Sequence, residues 1–147
     1  MSFILRELQD DDLTNGFFET LSNLSEVGSI SKEKNLAEKI LNIIKQDKNY
    51  ITIIAEDQKN HQVIGTATLL IEQKFIHNGG KVGHIEDVVT RKGYEGRGIG
   101  KEIMKELIKI AKANGCYKII LDCDEKVISF YEKIGFRKHS IMMRINL

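Results

Sequence analysis

Glu95-Gly96-Arg97-Gly98-Ile99-Gly100-Lys101 stands between a β-branched stretch and a long amphipathic one. Glycines let a backbone approach a ligand closely, and a helix N-terminus offers unpaired N–H groups with a favourable dipole. The stretch therefore reads as a cradle for a pyrophosphate or, taken alone, as a tight strand–helix connection. It is not a Walker A loop, because no Gly-Lys-Ser/Thr follows at the required spacing. Nor does it fit the dinucleotide fingerprint, which expects an early βαβ unit and an acidic residue about 20 positions on.

Downstream, Ile99, Ile103, Leu107, Ile110 and Ala111 share one helical face with lysines opposite, and Gly115 ends the helix. Upstream, 82–90 reads as a strand, preceded by a loop over 73–81 that carries Gly79-Gly80. Residues 50–56 and 63–72 are rich in β-branched side chains and form a hairpin across the polar turn 57–62. Residues 3–8 alternate as a first strand. Asp10 to Asp12 offer N-caps for a helix through Leu24, and Ser31 caps a second helix after Gly28, with Leu36, Ile40, Leu41, Ile43 and Ile44 at helical spacing. Towards the end, 117–123 reads as a short buried strand, 125–133 as a helix and 136–145 as a final strand. The order is mixed α/β in a single domain over 1–147, with no repeat or linker.

At 147 residues and 41% hydrophobic content the chain can build one core. Its 21 acidic and 22 basic side chains nearly cancel, which points away from nucleic acid and membrane surfaces. No apolar run approaches a membrane span. Cys116 and Cys123 are too far apart for a CxxC redox or zinc pair and read as reduced core thiols, so no metal is expected. The start, MSFILRELQDDD, reads as neither signal nor transit peptide, so the expected compartment is the cytosol.

Two further stretches carry chemistry. In Gly83-His84-Ile85-Glu86-Asp87-Val88-Val89, adjacent carboxylates on a strand point to opposite faces, one towards a pocket and the other structural. In Leu121-Asp122-Cys123-Asp124-Glu125, a strand ends in acids, and Ser129-Phe130-Tyr131-Glu132-Lys133-Ile134-Gly135-Phe136 presents a tyrosine before a helix-ending glycine.

Together these residues resemble the GNAT acetyltransferase superfamily, with its [QR]xxGx[GA] loop and its FYxxxGF element. Here Glu95 stands at the loop's usual Gln or Arg. GHIEDVV, GCYKIILDCDEK and FYEKIGF, with 19–28 and the Lys74-Phe75-Ile76-His77 loop, are similar to the glucosamine-6-phosphate N-acetyltransferase family over essentially the whole chain. The resemblance implies a GNAT fold, α/β (α+β), with a central mixed, mostly antiparallel twisted sheet flanked by helices. It implies acetyl transfer from acetyl-CoA to an amino-sugar phosphate for UDP-N-acetylglucosamine biosynthesis, without an acyl-enzyme.

The resemblance implies that Val88, Val89 and Thr90 pair with the pantetheine arm and that Gly96, Arg97, Gly98, Ile99, Gly100 and Lys101 wrap the pyrophosphate. The Val88 N–H suits the oxyanion, and Tyr131 takes the general-acid position for the thiolate. Glu86 and Asp87 match the substrate-contacting pair, and Asp122 an acid near the reacting centre. Ser25, Lys74 and His77 are implicated in holding the sugar phosphate. So are Tyr117 and Lys118, which in the family come from the second subunit of a homodimer. A basic phosphate contact often precedes the last residue in related enzymes; here that position is Asn146, with Arg144 on the same strand face.

Other readings of the residues are an acetyltransferase for a protein lysine, an N-terminus or a polyamine, and a non-catalytic acyl-CoA sensor. The carboxylates and Tyr131 argue against the sensor, which has no use for a thiolate acid.

Overall fold

Alternation and β-branching in the sequence become one five-stranded sheet in the order β1-β2-β3-β4-β5, seen in a computed structural model that describes residues 2–147. The strands are β1 (Phe3–Glu7), β2 (Tyr50–Asp57), β3 (Val63–Gln73), β4 (Lys81–Thr90) and β5 (Cys116–Ile120). The first three pairings are antiparallel and β4–β5 is parallel. The helices are α1 (Phe17–Leu21), α2 (Lys34–Gln46), the single turn α3 (Ile76–Gly79), α4 (Ile99–Ala113) and α5 (Ile128–Glu132).

α4 buries its apolar stripe on one sheet face, where Ile99, Ile103, Met104, Leu107 and Ala111 meet Ile53, Ala67, Leu69 and Ile85. The approach is close at Gly65 on β3, where an added Cβ would stand 2.6 Å from Ile99 Cγ2. That contact seats the start of α4 beside the end of β4. A second cluster, Leu8, Leu13, Ala37, Leu41, Ile54 and Val63, packs under α1 and α2.

Several sequence expectations are corrected. The helix expected from Asp10 to Leu24 is a 3-10 turn (Asp10–Thr14) and then α1, separated at Gly16, whose φ is +96°. Tertiary bonds break it: the Val63 N–H donates to Asn15 O at 2.9 Å, and Asp12 is held by Arg6. Ser31 is no cap, because a 3-10 turn (Gly28–Lys32) intervenes and Glu33 precedes α2. Ile43 points outward, 64% exposed. The helix expected over 125–133 is a 3-10 turn (Glu125–Val127) followed by α5.

At the C-terminal end, β5 stops at Ile120 and is half open to solvent rather than buried. The final strand expected over 136–145 pairs with nothing among the described residues, and Arg137 to Leu147 are all exposed. With no outer neighbour, β5 remains an edge. Cys123 is exposed and Cys116 half-buried, so neither is a full core thiol.

Asp12 is almost fully buried and its carboxylate takes both Arg6 Nη atoms at 2.7 Å, with the Gln9 N–H at 2.8 Å. Arg6 Nε also donates to Glu56 Oε2 at 2.8 Å, and the two carboxylates hold the guanidinium firmly charged. Removing one member of a buried, bonded ion pair strands the other charge. Arg6→Ala is therefore expected to lower stability by about 3 kcal/mol in urea unfolding. A loss within the scatter typical of surface substitutions would contradict this role.

Candidate active site

Parallel pairing between β4 and β5 runs from Lys81–Cys116 to His84–Ile120 and stops there. β4 continues to Thr90 on its β3 side alone. The second half of β4 thus has a backbone edge with no strand on it, beside a gap that opens towards the C-terminal ends of β4 and β5. Within that half lies a bulge: Asp87 and Val88 oppose the single residue Ala67, and Asp87 takes φ +52°. The bulge breaks the alternation expected for Glu86 and Asp87. Glu86 stands directly opposite Thr68 and Asp87 lines one cavity with Thr68, so the two carboxylates do not face opposite sides of the sheet.

The glycine loop follows. Gly96 and Gly98 have φ of +74° and +82°, and a Cβ at either would meet no atom within 4 Å. These glycines serve backbone conformation and leave open space over the loop, as a cradle for an anion requires. Ile99 puts its side chain into the core and offers the loop only backbone. Glu95 is exposed but engaged: its carboxylate accepts from the Gly93 N–H at 2.6 Å and from Asn23 Nδ2 at 3.1 Å. Backbone donors to that carboxylate hold it below the ordinary glutamate range. Arg97 donates to Gly93 O and stacks over Tyr94, while Lys101 is exposed on the first turn of α4.

Tyr131 is 9% exposed, edge-on to Phe130 and to Phe136. The Ile134 and Phe136 N–H groups both donate to Tyr131 O, which explains the spacing of the FYxxxGF element. Burial, then the charges of Cys123 and Asp122, push the phenol up to about 12. Asp122 also raises Glu86, where loss of water is the larger cause and Asp87 the smaller. Tyr131 shares a core cluster with Ile85, and Val88 and Leu121 pack against it, so α5 and the chain just after β5 stand beside the open half of β4 that carries Glu86 and Asp87.

A cavity of about 320 Å³ opens at Asp87 on the α1–α2 side of the sheet. Ser25, Tyr50, Thr52, Thr66 and Thr68 share it with mostly apolar side chains from α1 and α2. The remaining expected substrate residues lie elsewhere. His77 stacks on Tyr117 with ring centroids 4.2 Å apart, Lys118 sits over the same ring, and Tyr117 covers Gly80. Lys74 pairs with Glu72 at 2.6 Å, and Glu72 is paired with His84 at 2.7 Å. Lys118 stands opposite Val82, roughly 17 Å along the strand from Asp87 and more than a hexose phosphate spans, whereas Lys74 is tied through Glu72 to His84, roughly 10 Å away.

The Acetyltransferase (GNAT) family profile matches residues 10–136. The chain belongs to the GNAT acetyltransferase family. Among curated GNAT relatives, glucosamine 6-phosphate N-acetyltransferase 1 of Dictyostelium discoideum is 42% identical over 97% of this chain and 89% of its own length. A Trypanosoma brucei brucei glucosamine 6-phosphate N-acetyltransferase is 39% identical over 97% and 95%. The crystal structure of glucosamine-6-phosphate N-acetyltransferase from Arabidopsis thaliana superposes with a TM-score of 0.91, at 34% identity and 99% coverage of both chains.

Two residues of this GNAT site were not anticipated from sequence. Asn23 Nδ2 donates both to Thr90 O at 2.7 Å and to Glu95, clipping α1 to the end of β4 and to the loop. Tyr50 opens on the cavity beside Asp87. Asn23 lies within the 19–28 stretch and Tyr50 in no motif, but each gains its place through a partner at least 37 residues distant in the chain, a separation that no local pattern encodes.

Proposed function

We propose that this GNAT enzyme transfers the acetyl group of acetyl-CoA to the amine of glucosamine 6-phosphate, giving the N-acetylated sugar phosphate and CoA for UDP-N-acetylglucosamine synthesis. The observation that carries the chemistry is the bare half of β4 facing Tyr131 across a gap that ends at the glycine loop. The acceptor follows from the relatives' names and from the carboxylates at the gap.

In this reading the exposed edge over Val88 to Thr90 pairs with the pantetheine arm, and the Gly96–Lys101 backbone receives the pyrophosphate. The neutral amine attacks the thioester carbonyl, so a C–N bond forms and the C–S bond breaks. The Val88 N–H stabilises the oxyanion. Glu86, kept basic by loss of water and by its acidic neighbours, takes the amine proton directly or through water. Asp87 contacts the amine and Asp122 holds the field between them. Tyr131 gives its proton to the departing sulfur. With its pKa pushed up to about 12 it is protonated throughout the neutral range. The desolvation that raises it also raises the basicity of a thiolate expelled beside it.

The working unit we propose is a homodimer with composite sites. The roughly 17 Å along β4 between Asp87 and the Lys118 position, where His77 and Tyr117 also stack, supports phosphate contacts that come from a second copy. So do the exposed apolar residues Phe75, Ile76, Ile141, Met143 and Ile145, together with the uncovered β5 edge. Arg144, whose Nε donates to Asn146 Oδ1 at 2.7 Å, lies on that uncovered segment and supplies a further basic group.

CoA release from acetyl-CoA, measured with glucosamine 6-phosphate, glucosamine, glucosamine 1-phosphate, spermidine and a lysine peptide, tests the reaction. Strong turnover is expected with the 6-phosphate alone; turnover only with peptide or polyamine would discard the sugar. Tyr131→Phe should lower kcat by about a hundredfold with acetyl-CoA affinity nearly unchanged. Because Glu86 must be ionised, the rate should fall as pH drops through a pKa above the ordinary glutamate value, and Glu86→Gln should remove that limb. For the composite site, Asp87→Asn and Lys118→Ala chains are each expected to be nearly inactive. Co-expressed, they should regain about a quarter of wild-type activity through mixed dimers with one intact site. No recovery would rule out sharing across subunits.

A further inference from the structure

Residues directly opposite one another in a sheet point to the same face. The register sets Thr52 opposite Thr68 and Thr68 opposite Glu86, a row of polar side chains. Tyr50 lies two residues from Thr52 and therefore shares that face. Tyr50, Thr52 and Thr68 of this row floor the cavity that opens at Asp87, whose walls are apolar. Most of the floor is already satisfied: the Thr52 and Thr68 hydroxyls bond each other at 3.0 Å, and Thr66 Oγ1 donates to Ile53 O at 3.0 Å. Among the described residues, no hydrogen-bond partner meets the Tyr50 hydroxyl or the Asp87 carboxylate, although both line this one space.

A half-buried donor and an acceptor facing one cavity are complementary to a group that both accepts and donates. An ammonium would leave the phenol unmatched, and a phosphate would repel the carboxylate. A hydroxyl satisfies both. We propose that Tyr50 and Asp87 together hold a hydroxyl flanking the amine-bearing carbon of the acceptor, with the phenol donating to it and the carboxylate accepting from it. Tyr50 is then a specificity-determining residue that separates amino sugars from simple amines, an inference that rests on the acceptor class proposed above. Burial and the charges of Asp87 and Glu86 raise the phenol above its ordinary value, so it remains a donor at any working pH.

The test compares wild type and Tyr50→Phe on three acceptors: glucosamine 6-phosphate, its 3-deoxy analogue and its 1,5-anhydro analogue, which lack one or the other flanking hydroxyl. For the parent sugar, kcat/KM should fall about tenfold or more in the variant. On one of the two analogues, variant and wild type should agree within about twofold, because the bond is already missing there. An equal loss on all three acceptors, or none on the parent, overturns the inference while leaving the acceptor reading in place. Wild type that fails to acetylate the parent overturns both. If the variant's melting temperature is lowered, wild-type selectivity decides instead: an analogue must be disfavoured by about tenfold, and equal use of all three sinks the proposal.

Discussion

Pairing between β4 and β5 ends at His84 and Ile120, and the active site follows from that loss. A parallel pair normally closes along its length. Here β5 stops while β4 runs on for six more residues, bulged at Asp87. The unpaired edge would be costly if buried without partners, but it borders an open gap that a ligand's amides can fill. The bulge brings Asp87 onto the cavity on the face that Glu86 already shares with Thr68, and the strand's end delivers the chain into the glycine loop. Gly65 on β3 admits Ile99 at close range, so α4 begins where the loop needs its N–H groups.

The charges around the gap work in one direction. Glu86, Tyr50 and Tyr131 are all pushed up, each with burial as the first cause and neighbouring negative charge behind it. Such a field keeps phenols protonated and a carboxylate basic, which is the protonation state an amine acylation needs at both ends. Glu95, the acid standing where the family usually carries Gln or Arg, is tied into the loop rather than left free. Its carboxylate is engaged with Gly93 and Asn23.

The strands and α4 were legible because period-2 and period-3.6 patterns encode which face is buried, and the FYxxxGF spacing encodes how Tyr131 is seated. What escaped was set by long-range contacts. Asn15 breaks a helix because Val63 bonds it, and Asp12, while still accepting from the Gln9 N–H, is drawn into the pair with Arg6. The segment after Phe136 has a strand's composition but no strand neighbour among the described residues, so its pattern predicted a pairing that they do not supply. A bulge is a mismatch between two strands, and neither strand's sequence alone reports it. For the same reason the row that brings Tyr50 to Asp87 became visible only with the register.

The gap can be interrogated without turnover. Amide hydrogen exchange, followed with and without acetyl-CoA, reads which backbone groups become protected. The account predicts new protection over Val88 to Thr90 and over Gly96 to Lys101, with little change over Lys81 to His84, where β4 is already paired on both sides. Saturating acetyl-CoA that leaves the 88–90 and 96–101 amides exchanging as before would contradict it.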